Sequence, residues 1–315
     1  MGVVENAKLT VVGAGSVGAS LAYAALIRGS ARHVALYDVN TAKVDAEVLD
    51  LAHGTPFVGS STIEGGDDLA VVEGSHMVVI TAGAKQEPGQ SRLELAGTNV
   101  RILEDLMPKL LQRAPDAVYM LVTNPCDVLT VAAQKISGLP SNRVFSSGTV
   151  LDTARLRWLL AKRAGVATSS VHAHIVGEHG DTEFALWSSA NIGTVPILDW
   201  AHGEGFRADE LEQIAADVRD AAYRIIQGKG ATNYAIGLSG ARIVEALLGD
   251  ESAVLPVSAV LDGVHGVDGV ALSVPSIVDA SGVTPLGETP FSDEERRKLH
   301  DSAEALRTSI ASLGI

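Results

Sequence analysis

Through the first half of the chain, short β-branched and apolar runs alternate with longer segments whose apolar positions recur at helical spacing. Lys8 to Val12, His33 to Tyr37, His76 to Thr81, Ala117 to Val122 and Val144 to Ser147 read as strands. The runs at His76 and Ala117 are almost continuously apolar, the pattern of parallel strands covered by helices on both faces. Between the strands the spacing predicts an Ala/Leu-rich helix ending near Gly29, and another over Thr41 to His53 with Val44, Val48, Leu49 and Leu51 on its apolar side. A long helix closing near Arg113, with Pro108 as a possible kink, and a helix over Asp127 to Ile136 complete the alternation. Repeated βαβ units of this kind predict a doubly wound parallel sheet.

After Gly148 the pattern changes. A helix begins near Leu151, followed by strands at Val171 to Val176 and Phe184 to Ala190, long helices at Ala208 to Ile226 and Tyr234 to Leu248, and a strand pair at Ala253 to Leu261 and Gly269 to Val278. Pro256 and Pro275 limit pairing in that last pair. A final helix opens with Ser292 and Glu295 spaced as a capping box. The division is therefore residues 1–148 as a parallel α/β domain and 149–315 as an α+β domain. No internal repeat or low-complexity linker interrupts it.

The first strand runs into Gly13-Ala14-Gly15-Ser16-Val17-Gly18 and then into a helix, and the second ends at Asp38, 20 positions after Gly18. Strand, glycine turn, helix and acid in that order mark a Rossmann-type dinucleotide site. Gly13 allows the tight turn, Gly15 lets backbone approach the pyrophosphate, and Gly18 lets helix and strand pack closely. Asp38 suits the adenosine ribose and repels a 2′-phosphate, which favours NAD over NADP. Other strand ends, at Gly83, Asn124 and Ser147, converge on the same sheet edge.

The excess of 38 acidic over 24 basic side chains disfavours nucleic acid or an anionic membrane as partner. One cysteine, Cys126, excludes an internal disulfide and reads as buried filler. The uncharged run from Leu9 to Ile27 has nearly the length of a membrane span, but Gly13, Gly15 and Gly18 break it, and Glu5 before Lys8 does not suit a secretory signal. A cytoplasmic location is expected by elimination.

Chemistry concentrates between Leu151 and Glu183. Asp152 and Arg155, three apart on a helix, share a face that Arg157 does not. His179 sits between Gly177 and Gly180 on a predicted turn. Taken alone, these are as well read as a helix ion pair and one of 9 histidines. His172 and His174 would face one side of a strand, yet no Cys cluster or HExxH helix supplies further ligands, so no metal is expected. Beside a dinucleotide sheet, Asp, Arg and a turn-borne His suit hydride transfer to a small anion. A histidine protonates the nascent alkoxide, an acid fixes its tautomer, and an arginine grips a carboxylate.

GAGSVG (13–18), AGAKQEPGQSR (82–92), TNPCDVLT (123–130), GTVLDTARLR (148–157), HAHIVGEHGDTE (172–183) and KGATNYAIG (229–237) together resemble the lactate/malate dehydrogenase family, and within it the bacterial lactate branch, over essentially the whole chain. The resemblance implies His179 as proton donor and acceptor, Asp152 as its partner, Arg155 as carboxylate anchor and Arg92 as a catalytic arginine on a closing loop. It implies Asn124, Asp127 and Thr232 in the substrate region, and Val17, Lys43, Gly83, Ala84, Asp105, Val122, Asn124 and Ser147 on the NAD side.

Gln86 occupies the position where malate-type relatives carry an arginine for a second carboxylate, so pyruvate and lactate are expected over oxaloacetate. Arg157 and His172 match the positions with which bacterial members bind fructose 1,6-bisphosphate across a subunit interface, implying an activated homotetramer. A malate dehydrogenase and a silent NAD-binding protein are the alternatives; the former conflicts with Gln86, the latter with the joint presence of Arg92, Asp152, Arg155 and His179.

Overall fold

The computed structural model describes residues 2–84 and 92–315, the Arg92 side chain excepted. The first half supplies β1 (Lys8–Val12), α1 (Ser16–Arg28), β2 (His33–Tyr37), α2 (Thr41–Gly54), β3 (Thr62–Gly66), β4 (Met77–Ile80), α3 (Arg92–Arg113), β5 (Val118–Leu121), α4 (Cys126–Ser137) and β6 (Val144–Ser146). The second half supplies α5 (Val150–Ala164), β7 (Val171–His172), β8 (Ile175–Val176), β9 (Phe184–Ala185), β10 (Asn191–Ile192), β11 (Val195–Pro196), α6 (Ala208–Lys229) and α7 (Tyr234–Leu248). It continues with β12 (Ala253–Leu255), β13 (Ser258–Val260), β14 (Ala271–Ser273), β15 (Ser276–Asp279), β16 (Gly282–Pro285) and α8 (Asp293–Ser312).

Among the described residues the main sheet has 8 strands in the order β14-β13-β6-β5-β4-β1-β2-β3. Strands β1 to β6 are mutually parallel, as the βαβ pattern predicts, and the order reverses between β1 and β4. That reversal opens a crevice beyond the carboxyl ends of the strands, where ligands of such sheets bind. Both faces are covered. Leu9, Val11, Val79 and Met120 share one buried cluster, whereas Val12, Val78, Ile80, Tyr119 and Leu121 share another. The continuous apolar runs at β4 and β5 follow from this double covering.

The predicted strand pair of the second half divides at its prolines. Pro256 separates β12 from β13 and Pro275 separates β14 from β15, since proline has no N–H for a central ladder. Strand β13 then pairs antiparallel with β6 and with β14, extending the first-half sheet, while β12, β15 and β16 form a sheet of their own. The main sheet therefore continues across the division expected at 148/149.

The predicted strand Val171 to Val176 also splits. Ala173 O accepts from Arg157 Nε (2.9 Å), diverting that carbonyl from a ladder, so β7 pairs with β10 and β8 with β9. Beyond Ala185 the predicted strand to Ala190 gives way to a 3₁₀ turn at Trp187–Ser189. Strand β3, reading TIEGG at the sheet edge, has too little apolar pattern to have been anticipated.

Helices α1 and α7 fasten the two halves. A Cβ at Gly237 would fall 2.7 Å from the Ser20 backbone, and one at Gly240 would fall 2.5 Å from Leu21 Cδ1, so glycine sets this close approach. The capping box of α8 forms as predicted, with Ser292 N donating to Glu295 Oε2 (2.7 Å) and Glu295 N donating to Ser292 Oγ (3.2 Å). No helix among the described residues is long and apolar enough to cross a membrane.

Candidate functional site

The glycine loop is shaped by two internal contacts and one open face. Gly13 has φ of 109° and donates its N–H to Tyr37 O (2.7 Å); a Cβ there would meet Ala82 N at 2.7 Å. A Cβ at Gly18 would fall 1.9 Å from Gly13 O, which closes the position to any other residue. Gly15 differs. Its nearest neighbour would be Lys43 Nζ at 4.0 Å, leaving room for an anionic group at an α1 N-terminus that has no side-chain cap. This cradle fits a pyrophosphate.

Asp38 stabilises the loop directly. Its Oδ2 accepts from Ala14 N (2.7 Å) and its Oδ1 from Asn40 N (2.9 Å), which fixes the carboxylate at the end of β2. Asp105, on an exposed face of α3, is paired with Lys109 (2.7 Å). Burial raises the Tyr37 phenol pKa, with Lys109 opposing and Asp38, Asp67 and Asp105 adding to the effect. Val17 lies in the first turn of α1, and Val122 and Asn124 follow β5. Ser147 is buried and donates its N–H to Leu121 O (3.0 Å).

Asn99 was not singled out from sequence. It is buried on α3, accepts from Ala84 N at Oδ1 (2.7 Å) and donates from Nδ2 to Asn124 O (2.8 Å). One amide thereby ties the exit of β4 to the exit of β5. The signal was present as a lone amide on the apolar side of a long helix.

The second cluster is built on α5. Arg155 Nη1 donates to Asp152 Oδ1 (2.6 Å), and His179 Nδ1 lies 2.7 Å from Asp152 Oδ2. Asp152 is only 1% exposed, and the two partners occupy both of its oxygens. Burial opposes its ionisation, but His179 and Arg155 outweigh that and hold its pKa below the usual carboxylate value. Burial likewise disfavours imidazolium, yet Asp152 above all, with Glu183 and Asp127, raises the His179 pKa to about 9. With Nδ1 turned to Asp152, Nε2 is the ring nitrogen left to meet a substrate.

The His179 turn is held from two further helices. His179 N donates to Asp127 Oδ2 (2.7 Å) in the first turn of α4, and Glu178 N donates to Ser302 Oγ (2.9 Å) on α8. Asp127 is 2% exposed, and burial raises its pKa to about 6. Its carboxylate is engaged by the backbone of the turn that carries His179. Glu183 is also enclosed beside the pair, with Oε2 3.9 Å from His179 Nδ1. Asp152, His179 and Glu183 thus bring ligand-type atoms within 4.8 Å of one another, but Asp152 is already committed to Arg155 and His179.

Arg157 leaves the Arg155 face, as its spacing predicts. It is held within the chain, Nε donating to Ala173 O (2.9 Å) and Nη2 to His174 Nε2 (3.0 Å). Burial, then Arg157, then His172 lower the His174 pKa to about 4, keeping it a neutral acceptor. His172 is exposed on β7, two residues before His174. Thr232 lies in the connection from α6 to α7, where the neighbouring Asn233 donates from Nδ2 to Ser20 Oγ (3.2 Å) on α1. Cys126 is fully enclosed and its thiol pKa is pushed up by burial, consistent with filler. Gln86 and the Arg92 side chain lie outside the described residues.

A dinucleotide crevice joined to a paired imidazole and a partly neutralised arginine defines a hydride-transferring oxidoreductase. The chain belongs to the lactate/malate dehydrogenase family: the family's NAD binding domain matches residues 7–146 and its alpha/beta C-terminal domain residues 149–313. It is 51% identical over 314 residues to an L-lactate dehydrogenase of Bifidobacterium animalis subsp. lactis, covering 99% of this chain and 98% of the relative. It is 45% identical over 311 residues to that of Thermus aquaticus, covering 98% and 99%. Among solved structures it is similar to the minor L-lactate dehydrogenase of Enterococcus mundtii, with a TM-score of 0.94, 38% identity and 98% of each chain covered. A lactate dehydrogenase from a Medee basin deep-sea metagenome library gives a TM-score of 0.95 at 37% identity, covering 98% of this chain and 99% of that one. The cofactor is NAD.

Replacing Asp127 tests its supporting role. Asp127→Leu removes the acceptor for the His179 N–H and is expected to lower turnover roughly tenfold or more through misplacement of the ring, with NADH affinity retained. Asp127→Asn, which keeps an acceptor oxygen, is expected to lose less. Direct substrate contact would instead raise KM in both variants, so steady-state kinetics separate the two roles.

Proposed function

We propose that this protein is an NAD-dependent L-lactate dehydrogenase, catalysing reversible hydride transfer between NADH and pyruvate to give L-lactate and NAD⁺. The observation that carries this reading is Asp152 bonded at once to His179 (2.7 Å) and Arg155 (2.6 Å), within a chain whose dinucleotide loop has an open face at Gly15. The bound nicotinamide supplies the hydride. Arg155 takes the substrate carboxylate with the donors not given to Asp152. His179, charged below about pH 9, passes its Nε2 proton to the carbonyl oxygen, and Asp152 stabilises the cation until then. In lactate oxidation the neutral ring takes the hydroxyl proton back, so rising pH favours that direction.

Arg92 is assigned to polarise the carbonyl, with Asn124 and Thr232 bordering the substrate. Gly13, Gly15, Val17, Gly18, Asp38, Lys43, Gly83, Ala84, Asp105, Val122, Asn124 and Ser147 are assigned to the cofactor side. The division at 148/149 is retained for the cofactor and substrate halves, although β13 and β14 of the second complete the sheet of the first. Gln86 favours pyruvate: an amide cannot neutralise the second carboxylate of oxaloacetate, and an unpaired enclosed charge is costly. The same reading extends to a cytoplasmic homotetramer serving glycolytic fermentation, activated by fructose 1,6-bisphosphate at Arg157 and His172. Support for the activator comes from the Arg157 guanidinium and the exposed His172 imidazole, both of which act on the buried His174; an anion shared across a two-fold axis would bridge such groups.

NADH oxidation by the purified protein, with pyruvate and with oxaloacetate, each with and without fructose 1,6-bisphosphate, tests these assignments together. His179→Asn is expected to preserve NADH binding and to lower turnover at least about a hundredfold; retained turnover would remove its assigned role. Gln86→Arg is expected to move the ratio of kcat/KM values toward oxaloacetate, and an unmoved ratio would refute the specificity assignment. In Arg157→Ala combined with His172→Ala, activation by the bisphosphate should disappear while basal turnover continues.

A further inference from the structure

Glu183 has no part in the mechanism above, yet it is among the most enclosed acids near His179. It is 4% exposed, its Oε2 lies 3.9 Å from His179 Nδ1, and its Oε1 is buried without a hydrogen-bond partner among the described residues. Two carboxyl groups therefore face the same ring nitrogen, but only Asp152 bonds to it. Charged groups surround Glu183 from several elements, and Glu212 on α6 with Lys298 and Asp301 on α8 line a cavity with it. Asp152 and Arg155 come from α5, His179 from its turn, and Arg219 from α6, whose Nη1 donates to the Glu183 carbonyl (3.5 Å). Arg155 is already committed to Asp152, and Arg219 bonds the Glu183 backbone, so neither cation is paired with the Glu183 carboxyl.

A buried carboxylate with an oxygen lacking any donor is costly, and a second anion beside Asp152 adds repulsion. We propose that Glu183 is a positioning residue for the hydride-transfer reaction: neutral while Asp152 alone supports the imidazolium, and ionised on the alkaline side, where its charge holds the proton on His179. The Glu183 proton takes no part in turnover. The one consumed in pyruvate reduction still leaves from His179 Nε2 and returns from solvent. Burial raises the Glu183 pKa first and Asp152 raises it further, with His179 opposing, in the direction this role requires.

The inference rests on the proposed reading of the site, and its test separates the two. In Glu183→Gln the shape is conserved and the charge cannot form. The alkaline limb of kcat/KM for pyruvate reduction is expected to move down by at least about one pH unit, roughly a tenfold loss in the protonated fraction at a fixed alkaline pH. A merely structural glutamate would lower thermal stability and leave that limb in place, which would overturn the proposal.

Modification of His179 by diethyl pyrocarbonate, followed against pH by mass spectrometry, reads the same imidazole without turnover. If pyruvate is not reduced but modification shows the shift, the substrate assignment fails and the role of Glu183 stands. Should the variant not fold, infrared difference spectra of the parent protein between neutral and alkaline pH are expected to lose a protonated-carboxyl band. Its absence at neutral pH would refute the proposal.

Discussion

The site depends on one buried carboxylate bonded from two directions. Asp152 is nearly inaccessible to water, and a lone anion there would be strongly disfavoured. Arg155 and His179 remove that penalty together, one on each oxygen. The consequence runs both ways: Asp152 stays ionised because the cations are there, and His179 holds its proton because Asp152 is ionised. Placing Asp152 and Arg155 three apart on α5 sets the first bond by helix geometry alone. The second needs long-range packing, since His179 reaches Asp152 only where α4 and α8 fix its turn.

Delivery of that cluster to the cofactor is a property of the shared sheet. Strands β13 and β14 continue the parallel sheet beyond β6, and Thr149, at the start of α5, donates its N–H to Pro256 O (3.1 Å) and its hydroxyl to Ile175 O (2.6 Å). The beginning of α5 is thus bonded to the segment entering β13 and to the strand preceding the histidine turn. On the opposite side α7 meets α1 at glycines, with Asn233 reaching Ser20. The second half therefore grips the dinucleotide-binding half at both a strand edge and a helix face, which limits relative movement of the reacting groups.

What the sequence disclosed and what it concealed divide along local and non-local physics. The glycine loop, its 20-residue interval to Asp38, the helix over Asp152 and Arg155, and the α8 capping box all depend on neighbours in sequence, and each was legible. The split of the 253–261 and 269–278 strands was partly legible in Pro256 and Pro275, but which half would join which sheet was not. The contacts of Asn99 and Asp127 were illegible for another reason: each acts on a partner 25 or 52 residues away whose position only the tertiary fold defines, while Glu183, 4 residues from His179, faces it through the shape of the turn between them. Asp127 is the instructive case, because its motif implied a place in the substrate region, whereas its bond to the His179 N–H emerges only from the fold. Gln86 belongs to neither class; its reading came from a resemblance and a charge argument, and it lies outside the described residues.

The same charge logic links Glu183 to substrate choice. On the proposed reading, Asp152 and Arg155 cancel at neutral pH, Glu183 carries no charge, and among these four groups at the base of the site His179 leaves a single net positive charge, Asp127 being engaged by the backbone of the turn. One substrate carboxylate balances it. Were Glu183 ionised as well, that base would be neutral before substrate arrived and negative afterwards, so binding would be opposed by the group that helps His179 retain its proton. A second substrate carboxylate raises the same difficulty from the other end, and it requires a cation of its own, where position 86 offers only an amide. Holding Glu183 neutral until the alkaline side thus reconciles a strongly basic imidazole with a pocket suited to a monoanion.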